Sequence, residues 1–390
     1  MSAGPTTYLD HGATSPLRAE AALAMAEALS EPLGNPTGSH RPAQRARRLL
    51  EESRDEVAGH LGRPPGEIVF TSGGTESANL AVVGTLSALS SRSPQSSSGG
   101  PPSIVSSAVE HPAVRESCRA AAQAGRATWR ELPVDGHGSV QLDALAELVE
   151  PATALVAVML ANNETGLVQP FQAVLETVRQ HSDGALVFTD AVQATPFMDL
   201  AARTAGADLV ALSAHKVGGP VGIGVLAVAS SAALAPQQYG GGQERERRSG
   251  TQNVVGAVGL AAALRAARTE RAEAARRVGA LRQRLADGLL AAVPGAHRTV
   301  PVDVATLPGH LHLCLEGIER EELLVALSQQ GICASGGSSC ASGALEPSYV
   351  LAAMGLPGSL ARGAVRFTLG HDTTETDIDR ALAVVPGVVA

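Results

Sequence analysis

Short apolar runs recur along the first 230 residues: IVF at 68–70, SIVSSAV at 103–109, ALVAVML at 154–160, ALVFTD at 185–190, DLVALS at 208–213 and GIGVLAV at 222–228. Runs of this length, bounded by polar and glycine-rich punctuation, predict buried strands. Between them the pattern turns helical, at residues 112–124, 170–182 and 196–206, the last opening on proline and closing at glycine. This alternation predicts an α/β domain with a mostly parallel sheet. Further on, residues 254–293 are rich in Ala, Leu, Arg and Glu, with Leu281, Leu285 and Leu289 on an i, i+4 spacing. They predict a long helical connection to a second, smaller domain. The low-complexity stretch SALSSRSPQSSSGGPPS, residues 87–103, reads as a surface loop within the large domain.

In a parallel sheet, ligands gather beyond the carboxyl ends of the strands. The polar clusters of this chain sit there: TSGGTES after IVF, EH after SSAV, NNETG after VML, DAVQ after LVF, and SAHK after LVAL. TSGGTES places glycines and a threonine between a strand and a helix, where free N–H groups can hold a phosphate, although an ordinary glycine-rich turn has the same look. Neither a GK[ST] nor a GxGxxG follows a strand, which disfavours both standard nucleotide routes. Lys216 stands in the run ALSAHKVGGPVGIGVL. An ammonium there needs a partner, a shifted pKa or a covalent use, unless its stem carries it back to water. Asp190 closes a buried strand and asks for a cationic partner, an ion pair being the plain alternative to a protonated ring nitrogen. His111 can stack on a planar ring, shuttle protons or simply satisfy a turn. A phosphate cradle, a strand-end acid, a histidine and a lysine together describe a site for pyridoxal phosphate.

Composition narrows the classes further. At 390 residues and 44% hydrophobic the chain can bury a large core. A net charge of -8 and only 2% aromatics argue against nucleic acid and against an anionic membrane surface as direct partners. Residues 217–243 carry no charge, but Gly218, Gly219, Pro220, Ser230, Ser231 and Pro236 interrupt them, so no membrane span is expected. Cys118, Cys314, Cys333 and Cys340 show neither CxxC pairing nor metal-type spacing. No disulfide scaffold and no metal site are expected, and a reducing cytoplasm fits. The N-terminus lacks the pattern of a secretory signal, which also points to the cytoplasm.

SAHKVGGPVGIGVL, TSGGTESANL, LANNETG, TDAVQ, RSGTQN and SSCASGALEPSYV resemble the cysteine desulfurases of the NifS/IscS type. These belong to the class-V-aminotransferase-like group of fold type I pyridoxal phosphate enzymes. The resemblance runs from YLDHGATSPL to VRFTLGHDTTETDID, nearly the whole chain. It implies a large cofactor-binding domain over residues 16–260 with a mostly parallel, seven-stranded-type sheet. Residues 1–15 with 261–390 then form a smaller α+β domain carrying the Cys340 loop.

The resemblance also implies roles. Lys216 matches the Schiff-base lysine; Gly74, Thr75, Ser213 and His215 match phosphate ligands; His111 matches the histidine stacked on the ring. Asn163 matches a residue near the ring hydroxyl and substrate, and Asp190 and Gln193 match partners of the pyridine nitrogen and the hydroxyl. Thr251 matches a phosphate contact reached from the other subunit, which implies a homodimer. Arg366 matches the fork for the substrate carboxylate, a task suited to a planar bidentate donor, and Asn35 matches a substrate-side residue. Cys340 matches the sulfur-accepting nucleophile, in a Ser/Gly-rich setting unlike that of Cys314 in HLHLCLEG.

The implied reaction converts L-cysteine to L-alanine and leaves a persulfide on Cys340. That sulfur then goes to an acceptor such as an iron-sulfur scaffold or a tRNA-thiolation protein. A selenocysteine lyase or another class-V aminotransferase or lyase is the competing enzyme reading. A non-catalytic scaffold is disfavoured by Lys216, Asp190, His111 and Cys340 occurring together. Gly336, Ser339 and His310 depart from residues common in the family and bear on loop mobility and acceptor choice.

Overall fold

The computed structural model describes residues 6–92, 100–337 and 348–390. Ser339, Cys340 and residues 93–99 of the serine-rich stretch lie outside the described residues. The strands, in chain order, are β1 (Thr7–Tyr8), β2 (Ile68–Thr71), β3 (Ser103–Ser107), β4 (Thr128–Leu132), β5 (Thr153–Ala157) and β6 (Leu186–Asp190). They continue as β7 (Leu209–Ser213), β8 (Gly224–Val228), β9 (Ala296–Arg298), β10 (His310–Leu315), β11 (Ile332–Cys333) and β12 (Ala364–Thr368).

Seven of these form one sheet, in the order β2-β8-β7-β6-β5-β3-β4. Pairing is parallel except where β8 meets β2 and β7. All strands but β8 therefore share one direction, and their carboxyl ends open on one side. The expected apolar runs supply β2, β3 and β5 to β8. The edge strand β4, TWREL, is a strand the hydrophobic pattern misses, because it is buried only at Leu132.

Helices cover the sheet, and two depart from expectation. The helix after β2 runs Gly74–Arg92, through residues 87–92 that read as loop. The hydroxyls of Thr85, Ser87 and Ser90 donate to carbonyls four residues back, at Ala81, Val83 and Leu86, which lets a hydroxyl-rich sequence remain helical. In 196–206 only Leu200–Arg203 is α-helical; Phe197 and Met198 donate to Ala194 in turns that follow the site loop.

The remaining strands lie apart from this sheet. β12-β10-β9 is antiparallel, and β1 pairs with β11. Register sets His310 opposite Thr368, His312 opposite Arg366 and Cys314 opposite Ala364. With a side-chain period of two these share one face. The other face, Leu311, Leu313, Leu315, Val365 and Phe367, packs with Leu9 and with Ile378, Ala381 and Val385 of the last helix, Glu375–Val389. The long helix Val254–Ala292 joins the two cores, roughly 58 Å end to end at the α-helical rise. Ala257, Leu260 and Leu264 pack in the core of the large sheet, and Val278, Leu281 and Leu285 pack with the small one. No helix among the described residues is long and apolar enough to cross a membrane.

A buried ion pair closes one side of the large sheet. Arg54 donates to both oxygens of Glu244 at 2.7 and 2.9 Å, and Glu244 also accepts from Phe70 N at 2.9 Å. The pair pins a turn in which Glu244, Arg245 and Glu246 all adopt positive φ, of 47, 56 and 62°. Removing either partner would strand a buried charge, a loss of about 3–5 kcal/mol.

Three buried histidines lack partners on one or both ring nitrogens among the described residues: His60, His310 and His312. Burial holds them neutral, at about 4 for His60 and about 3 for His310 and His312. An unfolded histidine titrates at about 6.5. As pH falls below that, the unfolded chain takes up protons first, and stability is lost from there down through the folded-state values. At about pH 5 each of the three costs about 2 kcal/mol. The urea midpoint should therefore drop steeply between neutral and mildly acidic pH. His60→Leu should make that drop shallower, and an unchanged pH slope in this variant would contradict the assignment.

Candidate active site

Lys216 follows β7 directly, in a short turn spanning Ala214–Lys216. The glycines after it have a steric reason. Gly218 has φ 81°, and a Cβ on Gly224 would lie 2.6 Å from Gly73 Cα. The β7–β8 hairpin thus folds back tightly against the loop after β2. The lysine head stays inside: Nζ donates to the carbonyls of Gly12 at 2.5 Å and Ala13 at 2.8 Å. Lys216 is also the only lysine in the chain.

Around it opens a cavity of about 650 Å³ at the carboxyl ends of the parallel strands. Its wall includes Gly74, Thr75, His111, Asn163, Asp190, Gln193, Ser213, His215, Lys216 and Arg366. Residues from five strand ends and from β12 therefore meet in one space. Thr251 and Asn35 do not line it; both are exposed, with Asn35 accepting from Thr37 N and Oγ1. Cys340 lies outside the described residues, but Gly337 and Ser348, on either side of it in sequence, are on the wall.

The electrostatics of the cluster are dominated by burial. Burial raises the Asp190 pKa, against the opposing effects of His111, of the Val192 N–H donated to Oδ1 at 2.9 Å, and of Lys216. Burial lowers the His111 pKa, as does Lys216, while Asp190 opposes them. His111 Nδ1 accepts from Ala113 N at 3.1 Å, so the neutral ring carries its proton on Nε2. Burial, then Lys216, takes His215 down to about 4; its Nδ1 lies 3.2 Å from Thr14 Oγ1.

Glu110, beside His111, is fully buried. Burial pushes it up to about 8, so at neutral pH it is largely protonated. Ser107 Oγ and Met159 N donate to its Oε1 at 2.6 and 2.7 Å, and Tyr349 Oη donates to its backbone carbonyl at 2.5 Å. It fixes the turn that presents His111.

Arg366, 1% exposed, comes from β12. Nη2 pairs with Asp10 Oδ1 at 2.8 Å, Nη1 donates to Asn163 O at 2.7 Å, and Nε has no partner among the described residues. The Asn163 side-chain Oδ1 is likewise buried without a partner among the described residues. Glu164 accepts from Ser348 Oγ at 2.6 Å, and a Cβ on Gly337 would lie 3.3 Å from its side chain.

These groups fit a phosphorylated, cationic aromatic cofactor. The helix Gly74–Arg92 begins at the cavity, and the first N–H groups of a helix have no intrahelical acceptor. A Cβ on Gly74 would come within 3.1 Å of Val192 Cγ2, so glycine keeps this approach open. Glu76, in the same turn, accepts from Ser72 N at 2.7 Å and from Arg248 Nε at 2.8 Å, tying the loop that bears Thr251 to the cradle. Asp190 would answer a protonated ring nitrogen, and the orphaned Asn163 oxygen would gain a donor.

Comparisons with known proteins agree with this chemistry. The aminotransferase class-V family matches residues 7–381. An "IscS-like cysteine desulfurase" of Mycobacterium tuberculosis is 39% identical over 387 residues, covering 98% of this chain and 96% of the relative. A solved structure described as a "NifS-like protein" superposes with a TM-score of 0.90 at 34% identity, covering 99% of each chain. Another, "SspA in complex with cysteine", gives 0.78 at 27% identity, covering 93% of this chain and 99% of that one. The chain belongs to the aminotransferase class-V family of pyridoxal-phosphate-dependent enzymes, and its relatives there are cysteine desulfurases.

Proposed function

We propose that this protein is a pyridoxal-phosphate-dependent cysteine desulfurase that releases L-alanine from L-cysteine and carries the sulfur as a persulfide on Cys340. The observation that supports this best is the meeting of the single lysine, Asp190, His111 and Arg366 with the helix start at Gly74 in one cavity. Bound there, the cofactor supplies an electron sink for bonds broken at the amino-acid α-carbon.

The rest falls to the protein's own groups. Gly74, Thr75, Ser213 and His215 hold the phosphate, with Thr251 of a second subunit completing the set. Asp190 keeps the ring nitrogen protonated, His111 covers the ring, and Gln193 and Asn163 address its hydroxyl. Arg366 takes the L-cysteine carboxylate with a guanidinium already oriented by Asp10 and the Asn163 carbonyl, so little rotamer freedom is lost on binding. Asn35 lies on the substrate side.

The Lys216 amine would hold the cofactor, and it is the base placed to take a proton from the substrate α-carbon. His111, neutral with its proton on Nε2, is placed to donate. The Cys340 thiolate attacks the substrate sulfur and forms the S–S bond. The C–S bonding pair stays with the three-carbon fragment, which takes one proton at the β-carbon and regains the α-proton from Lys216 to become alanine. Cys340 is three residues beyond Gly337, a span of at most about 11 Å, so the chain can reach the cavity.

Residues 16–260 form the large domain in this reading, and residues 1–15 with 261–390 the small one. A homodimer is supported by exposed apolar side chains at Leu17, Leu23, Leu29, Val221 and Tyr239. The sulfur goes on to an acceptor protein in the cytoplasm, an iron-sulfur scaffold or a tRNA-thiolation protein.

Lys216→Ala should abolish the visible absorbance band of the bound cofactor. Borohydride treatment of the parent should place the cofactor mass on the peptide containing Lys216, since the chain has no other ε-amine. A reducible adduct persisting in the variant would contradict the attachment site.

Cys340→Ser nearly preserves size but removes a thiol whose usual pKa, near ~8.5, supplies some thiolate at neutral pH. After incubation with L-cysteine, intact-mass measurement should find one added sulfur on the parent peptide carrying Cys340 and none on the variant. The cofactor band should survive. Equal alanine release by both proteins would favour lyase chemistry with an external sulfur acceptor instead.

A further inference from the structure

Behind the loop that holds Lys216 lies a cluster outside the catalytic cavity. His11, 6% exposed, sits against the turn after β12: a Cβ on Gly370 would fall 2.0 Å from His11 Nδ1, so only glycine lets this backbone touch the ring. His11 Nδ1 lies 3.2 Å from Ser15 Oγ, and Ser15 gives its single hydroxyl proton to the Lys216 carbonyl at 3.0 Å. Ser15 Oγ is therefore the acceptor, and the His11 Nδ1 position carries the proton.

On a neutral ring this leaves Nε2 an acceptor, with the Thr373 hydroxyl at 3.5 Å. Yet Nε2 faces Asp372 Oδ1 at 3.2 Å. Two lone-pair atoms at that distance call for a cation between them, either a proton or a metal ion. A metal-bound histidine has the same arrangement, with its second nitrogen donating to a fixed acceptor.

A third ligand stands beside the pair. The His371 ring meets His11 edge-on, with centroids 6.1 Å apart, and candidate ligand atoms of His11, His371 and Asp372 all lie within 4.8 Å of one another. Tetrahedral bonds of about 2.0–2.1 Å put neighbouring ligand atoms about 3.3 Å apart. The His11–Asp372 separation already has this value, and the partly buried His371 has a candidate ligand atom within 4.8 Å of both. Arg277 donates to the His371 carbonyl at 2.6 Å and to that of Thr373, which fixes the turn. Arg18, the nearby cation, is paired with Glu270 at 2.8 Å. Two imidazoles, one carboxylate and an open position suit zinc or a metal of its class.

We propose that His11, His371 and Asp372 bind a zinc-class divalent cation, which clamps residues 10–15 to the turn at 370–373. The segment so fixed includes the Gly12 and Ala13 carbonyls that hold Lys216. Cysteine spacing could not reveal this site, because its ligands are 360 residues apart in sequence.

The test uses the cofactor-loaded Cys340→Ser protein, so that the thiol does not compete, titrated with zinc(II) and, for its spectrum, cobalt(II). One zinc should bind per chain, and cobalt should give the intense visible bands of a low-coordinate site. His371→Ala and Asp372→Asn should each weaken zinc binding by at least about tenfold and remove those bands. The retained cofactor band shows that the variants are folded. Absence of zinc binding to the parent, or equal affinity in both folded variants, overturns the proposal and leaves the His11–Asp372 contact without a metal role.

Discussion

The carbonyl oxygen of Gly12 accepts from Lys216 Nζ and from Gln193 Nε2, at 2.5 and 2.8 Å, and the site is built around that junction. The same residue donates its N–H to Thr368 Oγ1 of β12 at 2.7 Å, and a Cβ there would lie 3.0 Å from the Arg366 guanidinium carbon. One backbone unit near the N-terminus thus joins the ends of the large sheet to the strand that supplies Arg366. Hydrogen bonds to a charged group contribute about 1.5–3 kcal/mol, enough to keep the amine inside the cavity instead of in water.

The charges around this junction are arranged for a guest. Asp190 and His111 are both moved by burial away from their ionised forms, and Glu110 beneath them is protonated at neutral pH. Such a cluster is costly to bury, and a cationic ring would give Asp190 a partner.

Much of this was legible in the sequence because fold and chemistry share a period. Apolar runs marked the parallel strands, and the polar residues that ended them had to meet at one edge, as Thr75, His111, Asp190 and Lys216 do. Local rules failed where tertiary context overrode them. The polar edge strand β4 has no hydrophobic signature, and hydroxyl back-bonding kept residues 87–92 helical. Partners such as Asp10 for Arg366, or Arg248 for Glu76, are separated by 356 and 172 residues and carry no local signal. Glu110 stands in the strand-end pair EH, but its partners Ser107 and Met159 and its full burial, which make it a support of His111, have no sequence signal.

The product tests the central claim most directly. Purified protein loaded with pyridoxal phosphate and given L-cysteine should release L-alanine, with one sulfur recovered on protein or acceptor thiol for each alanine formed. Pyruvate and ammonia in place of alanine would show that the cavity carries out elimination, and the desulfurase account would be wrong.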